Sequence, residues 1–485
     1  MRPDRTARNM LLTIGLTAII LTVVFPGSAF PAGKTVKDID QCIKQAVEIN
    51  AEVKGAEFEV EVYRSKKEQA DSARYPQLEL LAYGSLSPRA RLINGGNGSV
   101  ESSTNINRES YDGVFGNATV QLIQPLYTFG KISGYRDAAE HGIRAYEAGA
   151  KLKAAEVGLL VNEAYYGLLL GRELKALLAD ISDQLDHATD KVEKQLDAGA
   201  PNVDQVDLFK LRTYQGELER YTALADEGVE KASFGLRTLT GHMDDKEDFD
   251  IADEYLIPAD VKVEDFDAYE GRAMQGRLEF IQLREGLIAR DDLIKVEQAE
   301  YYPQIFMAGF YSLAGATNRD HLNNPYVFDD FNHNSGGVVL GFKWSLDFGI
   351  KGGRVDEARA EYLKLKMKEE YAMGGVPFQV KDAFLQLVRS EKEMKALDKS
   401  YRNAKQWVVA SLANFDMGVG EARDIADSVS AYARLRADYF RAVYNQRMAL
   451  ANLEHATGAD SDRMQYKVKT YDLKDAKNAA DKGGI

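Results

Sequence analysis

Two carboxylates, Asp424 and Asp427, follow closely on the glycine-bracketed turn Gly418-Val419-Gly420. A spacing of three places both on one face of a helix, near its start. Such a pair concentrates negative charge on that face. The plainer account is that acidic residues are favoured near any helix N-terminus, by about 0.3–1 kcal/mol. In the earlier turn the position corresponding to Asp424 falls on Gln205, with Asp204 and Asp207 beside it. Little else offers chemistry. The six histidines have no ligand spacing, and His321 and His333, with Asp320, Asp329 and Asp330, would make a weak metal site at most. The sequence carries no serine elbow, phosphate loop or cysteine pair. It therefore implies no enzyme, no cofactor and no resident metal.

The helices that position the carboxylates declare themselves by period. Leu387, Met394, Tyr401, Val408 and Phe415 recur every seven residues, with Leu397, Ala404 and Ser411 between them, and this is a coiled-coil seam. It stops at Gly418 and Gly420, which let the chain turn back into a second helix. A near-copy runs through Leu174, Leu178, Ile181, Leu185, Ala188 and Val192 to Gly199-Ala200-Pro201. From Lys131 to about Ala198 no proline intervenes, which predicts a rod on the order of 100 Å long at ~1.5 Å per residue.

The whole chain repeats in this way. A helix from Val36 to about Arg74 leads through Tyr75-Pro76-Gln77 into an alternating strand over 77–86, and Tyr302-Pro303-Gln304 recurs 227 positions later. A glycine-rich loop around 94–99 separates that strand from a second over 114–124. The later copy has strands beginning at Ile305 and running from Val338 to Leu346, joined by a loop from Gly315 to Gly337. Phe129-Gly130 and Phe348-Gly349 lead into the two long helices at an offset of 219, and Thr240-Gly241 and Thr457-Gly458 close the copies. Gly374-Gly375-Val376-Pro377 is expected to interrupt the second long helix. The expected domains are a signal peptide over 1–29, a first repeat over 30–241, a linker over 242–262, a second repeat over 263–458 and a poorly ordered tail over 459–485.

Composition sets bounds. Among 485 residues, 61 are Lys or Arg and 75 are Asp or Glu, a net charge of −14 that argues against a nucleic-acid partner. Removing the signal, with Arg2, Arg5, Arg8 and Asp4, would take −14 to −16. The single cysteine, Cys42, excludes an internal disulfide and reads as a small apolar residue of the first helix. No later segment is apolar for long enough to span a bilayer as a helix. Each copy instead supplies two amphipathic strands, and four strands cannot close a barrel with a fillable interior. Two chains would give eight strands and three would give twelve. Tyr127, Phe129, Trp344 and Phe348 gather at the strand-to-helix exits, where a bilayer interface would favour aromatics and where core packing is the alternative.

The order of these motifs resembles the TolC-type outer-membrane efflux proteins. It rests on Ala46 and Asn50 in the first helix, the two Tyr-Pro-Gln strand entries, the exit from Pro125 to Gly130, Gly276-Arg277-Leu278-Glu279, and the glycine tip followed by Asp424. The match runs from about residue 35 to 458. Leu278 departs from it, standing where the family often has proline. The resemblance implies an α+β membrane protein: a homotrimer with a twelve-stranded transmembrane β-barrel, four strands per chain, continuous with a periplasmic barrel of long α-helices. It would be a passive exit duct in the outer membrane for a tripartite efflux or type I secretion system, working with a periplasmic adaptor and an inner-membrane transporter. Asp424 and Asp427 would then match the aspartates that narrow the periplasmic entrance, and Gly199, Gly418, Val419 and Gly420 would shape the turns an adaptor meets. The linker and the Gly374 region would belong to an equatorial belt. A soluble periplasmic coiled-coil scaffold is the alternative; it requires the four strands to pack inside a protein core.

Overall fold

The computed structural model describes residues 35–88, 91–92, 100–101, 111–199, 203–242, 249–319, 326, 328–471 and 473. The signal-like segment, the loop 94–99, Ala200-Pro201, residues 243–248 of the linker, Asp320 and His321 lie outside the described residues.

The chain opens with β1 (Thr35–Lys37), α1 (Ile39–Ile49) and α2 (Ala51–Ser72). The single helix expected over Val36 to Arg74 is therefore two. Asn50 divides them, because its side-chain oxygen accepts from the backbone N–H of Glu52 and Val53 at 2.8 and 3.2 Å and so caps a new helix. β2 (Gln77–Ser87), the short β3 (Arg91–Leu92) and β4 (Val100–Glu101), and β5 (Gly113–Tyr127) follow, then α3 (Lys131–Asp197) and α4 (Gln205–Thr240). After β6 (Phe249–Ile251) the order recurs with α5 (Phe266–Gly276), α6 (Leu278–Ala299), β7 (Gln304–Ala316), β8 (His333–Lys343), α7 (Ile350–Asp416), α8 (Ala422–Thr457) and the short α9 (Ala459–Met464). The two long helices have 67 residues each and their return helices 36 each, so the copies match in length as well as order.

Three expectations are corrected here. α7 continues through Gly374 to Pro377 without a break. Val376, Val380, Ala383 and Leu387 are buried together with Ala273 of α5 and Ala449 and Leu453 of α8, and this packing on two sides holds the helix although Pro377 donates no hydrogen bond. β8 stops at Lys343 rather than Leu346, since Lys343 pairs with Gln304 and the next residue on that strand, Pro303, has no N–H to continue the ladder. The tail is anchored as far as Tyr471. Glu57 of α2, 1% exposed, accepts from the hydroxyl groups of Tyr466 and Tyr471 at 2.5 Å each and from Lys469 N–H at 2.9 Å, and Glu61 accepts from Tyr471 N–H at 3.1 Å.

α7 packs along α8 and α3 along α4; of the seam read from the sequence, Leu387, Met394, Ala404, Val408, Ser411 and Phe415 of α7 are buried and Leu397 and Tyr401 are half-buried. A lower core joins Ile181, Leu185 and Val192 of α3 to Leu211 and Leu218 of α4 and to Ile425 and Val429 of α8. A second core, at mid-height, packs Cys42, Ile43 and Val47 of α1 on Val161, Tyr165 and Leu169 of α3. Burial there pushes the Cys42 thiol up to about 11, so it is an inert packing group. The linker crosses this level: Tyr165 donates to Asp253 at 2.9 Å, and the buried Gln446 of α8 brackets Ala259 through its N–H and C=O at 2.9 and 3.0 Å.

At the other end, four strands form one antiparallel sheet in the order β2-β5-β7-β8, leaving β2 and β8 as unpaired edges. Register puts Leu78, Leu80, Val120, Leu122, Met307, Val338, Leu340 and Phe342 on one face. The other carries Glu79, Thr119, Gln121, Asn117 and Ser312. Among the described residues no helix is long and apolar enough to cross a membrane.

Candidate functional site

The tips of the two helical hairpins are built by backbone geometry. Gly199 and Gly418 take φ of 69° and 75°, where a side chain would be strained. Gly420 has a different reason: a Cβ there would sit 2.8 Å from Phe415 N and 3.0 Å from Asn414. Its N–H and that of Val419 both donate to Asn414 O, at 3.0 and 3.1 Å, closing the end of α7. Met417 and Val419 are left exposed on the tip.

Asp424 and Asp427 lie in the first turns of α8, as expected, but in different environments. Asp424 is exposed and makes no ion pair among the described residues. Asp427 accepts from Nζ of Lys210 on α4 at 2.5 Å, a tie between the two hairpins. Lys191 of α3 and Asp416 of α7 make a second such tie close by. The Gln205 equivalence is corrected. α4 and α8 begin at residues 205 and 422, an offset of 217, because seven residues join α3 to α4 and only five join α7 to α8. Asp424 therefore corresponds to Asp207 and Asp427 to Lys210. Asp204 and Asp207 cap α4 reciprocally, each accepting from the other's backbone N–H at 2.9 and 3.3 Å. Lys210 was missed from sequence, although the 217 offset was legible in Thr240-Gly241 against Thr457-Gly458.

The aromatic residues at the strand exits form a partial cluster. Phe129, at φ 51°, stacks on Tyr302 with centroids 5.0 Å apart and meets Tyr127 edge-on at 4.6 Å. Trp344 donates from Nε1 to Tyr301 O at 3.1 Å, and Phe348 is fully exposed. On the polar face of the sheet, Thr119 bonds Asn117 and Ser312 at 3.0 Å each, and Ser312 bonds Nε2 of His333 at 2.9 Å. His333 is thereby engaged in the sheet, and no three His, Cys, Asp or Glu side chains converge on a metal position among the described residues.

The sequence pattern of a family described as outer membrane efflux protein matches residues 42–242 and 271–459. Among solved structures, the CmeC outer membrane channel of Campylobacter jejuni is similar over 97% of both chains, with a TM-score of 0.69 and 13% identity. The outer membrane protein VceC of Vibrio cholerae matches over 87% of this chain and 96% of its own, with a TM-score of 0.69 and 15% identity. The MtrE outer membrane channel of Neisseria gonorrhoeae, in an open state, matches over 87% of this chain and 88% of its own, with a TM-score of 0.66 and 17% identity. At such identities these likenesses establish the fold alone. No curated protein is matched by sequence.

Proposed function

The chain belongs to the outer membrane efflux protein family and serves as an exit duct reaching from the outer membrane into the periplasm; from that premise we propose how it closes, gates and docks. Three copies join β8 of one chain to β2 of the next and close a twelve-stranded barrel. The observation that carries this is the sheet itself. Leu80 and Leu340 are 68% and 74% exposed on one face, and two edges of eleven residues lie open. In lipid each unpaired backbone group would cost several kcal/mol, so closure is obligatory. A soluble scaffold would need those leucines inside a core, which the single chain does not provide.

Below the barrel, α3, α4, α7 and α8 of three chains form the tunnel wall, and the hairpin tips form its gate. Lys210–Asp427 and Lys191–Asp416 hold the hairpins together in the closed state. Asp424, exposed, contributes the ring of charge at the entrance. Gly199, Gly418, Val419 and Gly420 present the tips to a periplasmic adaptor, which links the duct to an inner-membrane transporter. Tyr127, Phe129, Trp344 and Phe348 mark the periplasmic interface of the bilayer. Native mass spectrometry of protein extracted from outer membranes in mild detergent is expected to give a trimer. A monomer that is freely soluble without detergent would sink the barrel.

A further inference from the structure

At the end of the sheet remote from the long helices, residues 328–332, which lead into β8, lie against the strands. Phe331 packs edge-on against Phe115 with centroids 5.1 Å apart, and Phe115 meets Tyr83 at 5.9 Å. Phe115 is 7% exposed in consequence. By register, Tyr83 and Phe115 share the face of Asn117, Thr119 and Ser312, opposite the exposed leucines.

These residues are fastened at several points. The Arg319 guanidinium lies 4.0 Å from the Phe331 ring centroid, and its Nη1 donates to Pro88 O at 2.9 Å. Phe331 N–H donates to Asp329 Oδ1 at 3.0 Å, and Ala316 N–H donates to Asn332 Oδ1 at 2.9 Å. His333 Nδ1 bonds the carbonyl of Asp329 at 3.0 Å; that oxygen can only accept, so Nδ1 carries the proton and Nε2 accepts from the Ser312 hydroxyl in the neutral ring. A connection at a strand end ordinarily runs out into water. Here an aromatic ring and a cation are fixed over the polar face.

We propose that Phe331, seated on Phe115 and backed by Arg319, is a size-determining residue at the outward mouth of the duct. This rests on the threefold barrel proposed above, in which the polar face lines the lumen and three copies of Phe331 face one another. Bulky solutes are slowed there and small ones are not.

Ser312→Cys supplies a reporter on the lumen side of Phe331, in a chain whose one native thiol, Cys42, is fully buried. Intact cells are treated from outside with two membrane-impermeant maleimides that share one reactive head group, a small charged one and a bulky polymer-linked one. The bulky reagent is expected to label about tenfold more slowly than the small one, and Phe331→Ala is expected to speed the bulky one about fivefold with under twofold change in the small one. Equal rates for both reagents, or no effect of Phe331→Ala, would overturn the proposal. Arg319→Gln frees the ring without removing it; where Phe331→Ala does not reach the outer membrane, this variant is judged by the same rates. Reaction of Ser312→Cys with a lipid-soluble maleimide alone would place that face against lipid, and the barrel itself would then fail.

Discussion

Lys210 and Asp427 occupy the same position in the two copies, and divergence of that position made an ion pair. Both side chains are more than a quarter exposed, so Lys210→Ala should lower stability by less than about 1 kcal/mol. Its effect is on the proposed gate: conductance in planar bilayers is expected to rise severalfold, and an unchanged conductance would remove the tie from the mechanism. Glu57 is the opposite case, a buried carboxylate with three donors on it. Glu57→Ala would strand those donors, at roughly 1–3 kcal/mol, and should lower Tm while leaving conductance of the folded protein alone. His455 links stability to pH. Its hydrogen bond to Asp460, at 2.8 Å across the α8–α9 junction, holds its pKa above the usual histidine value despite burial. A raised folded-state pKa means that the contribution is complete below the unfolded value of about 6.5 and is lost as pH rises through the folded value. Tm should accordingly fall on going from about pH 6 to about pH 9, and His455→Gln should flatten that fall. Sequence brought out Asp424 and Asp427 because acidic residues after a glycine turn stand out. It hid Lys210 and Glu57 because their partners lie 217 and more than 400 residues away.

Among the elements, the long helices were legible in advance because seam periodicity is a local signal. Of the heptad positions, Leu387, Met394, Val408 and Phe415 are buried and Tyr401 is half-buried. The breaks were not legible by the same means. Asn50 ends one helix by capping the next, whereas Pro377, the stronger local signal, is overridden by packing around Val376 and Val380. Pro377→Ala would restore the missing donor toward Met373, and is expected to raise Tm by an amount corresponding to at most ~3 kcal/mol. An unchanged or lower Tm would mean that the proline relieves a strain not visible in the packing. α3 lies tight against α2 at Gly142, where an added Cβ would lie 2.3 Å from the Tyr63 ring, itself stacked on Tyr146 at 4.4 Å. Gly142→Ala should therefore push the helices apart and cost about 1–3 kcal/mol.

For the whole molecule, alternation revealed four strands and two faces, but closure is a property of several chains and no single sequence contains it. Leu340→Arg on the outer face should prevent stable insertion, at about 2–4 kcal/mol, whereas Gln121→Arg on the inner face should be tolerated; equal effects would contradict the assignment of faces. The Lys210–Asp427 contact also acts as a ruler. In the proposed trimer, three chains of two copies each place six equivalent units around one axis, and in such a ring neighbouring copies of a position stand as far from each other as each stands from the axis. Two side chains can touch across equivalent positions only where that distance is short. Contact between residues 210 and 427 thus measures the radius of the tunnel at its tip: while the pair is closed the bore is narrow, and widening the bore must pull the pair apart in every chain.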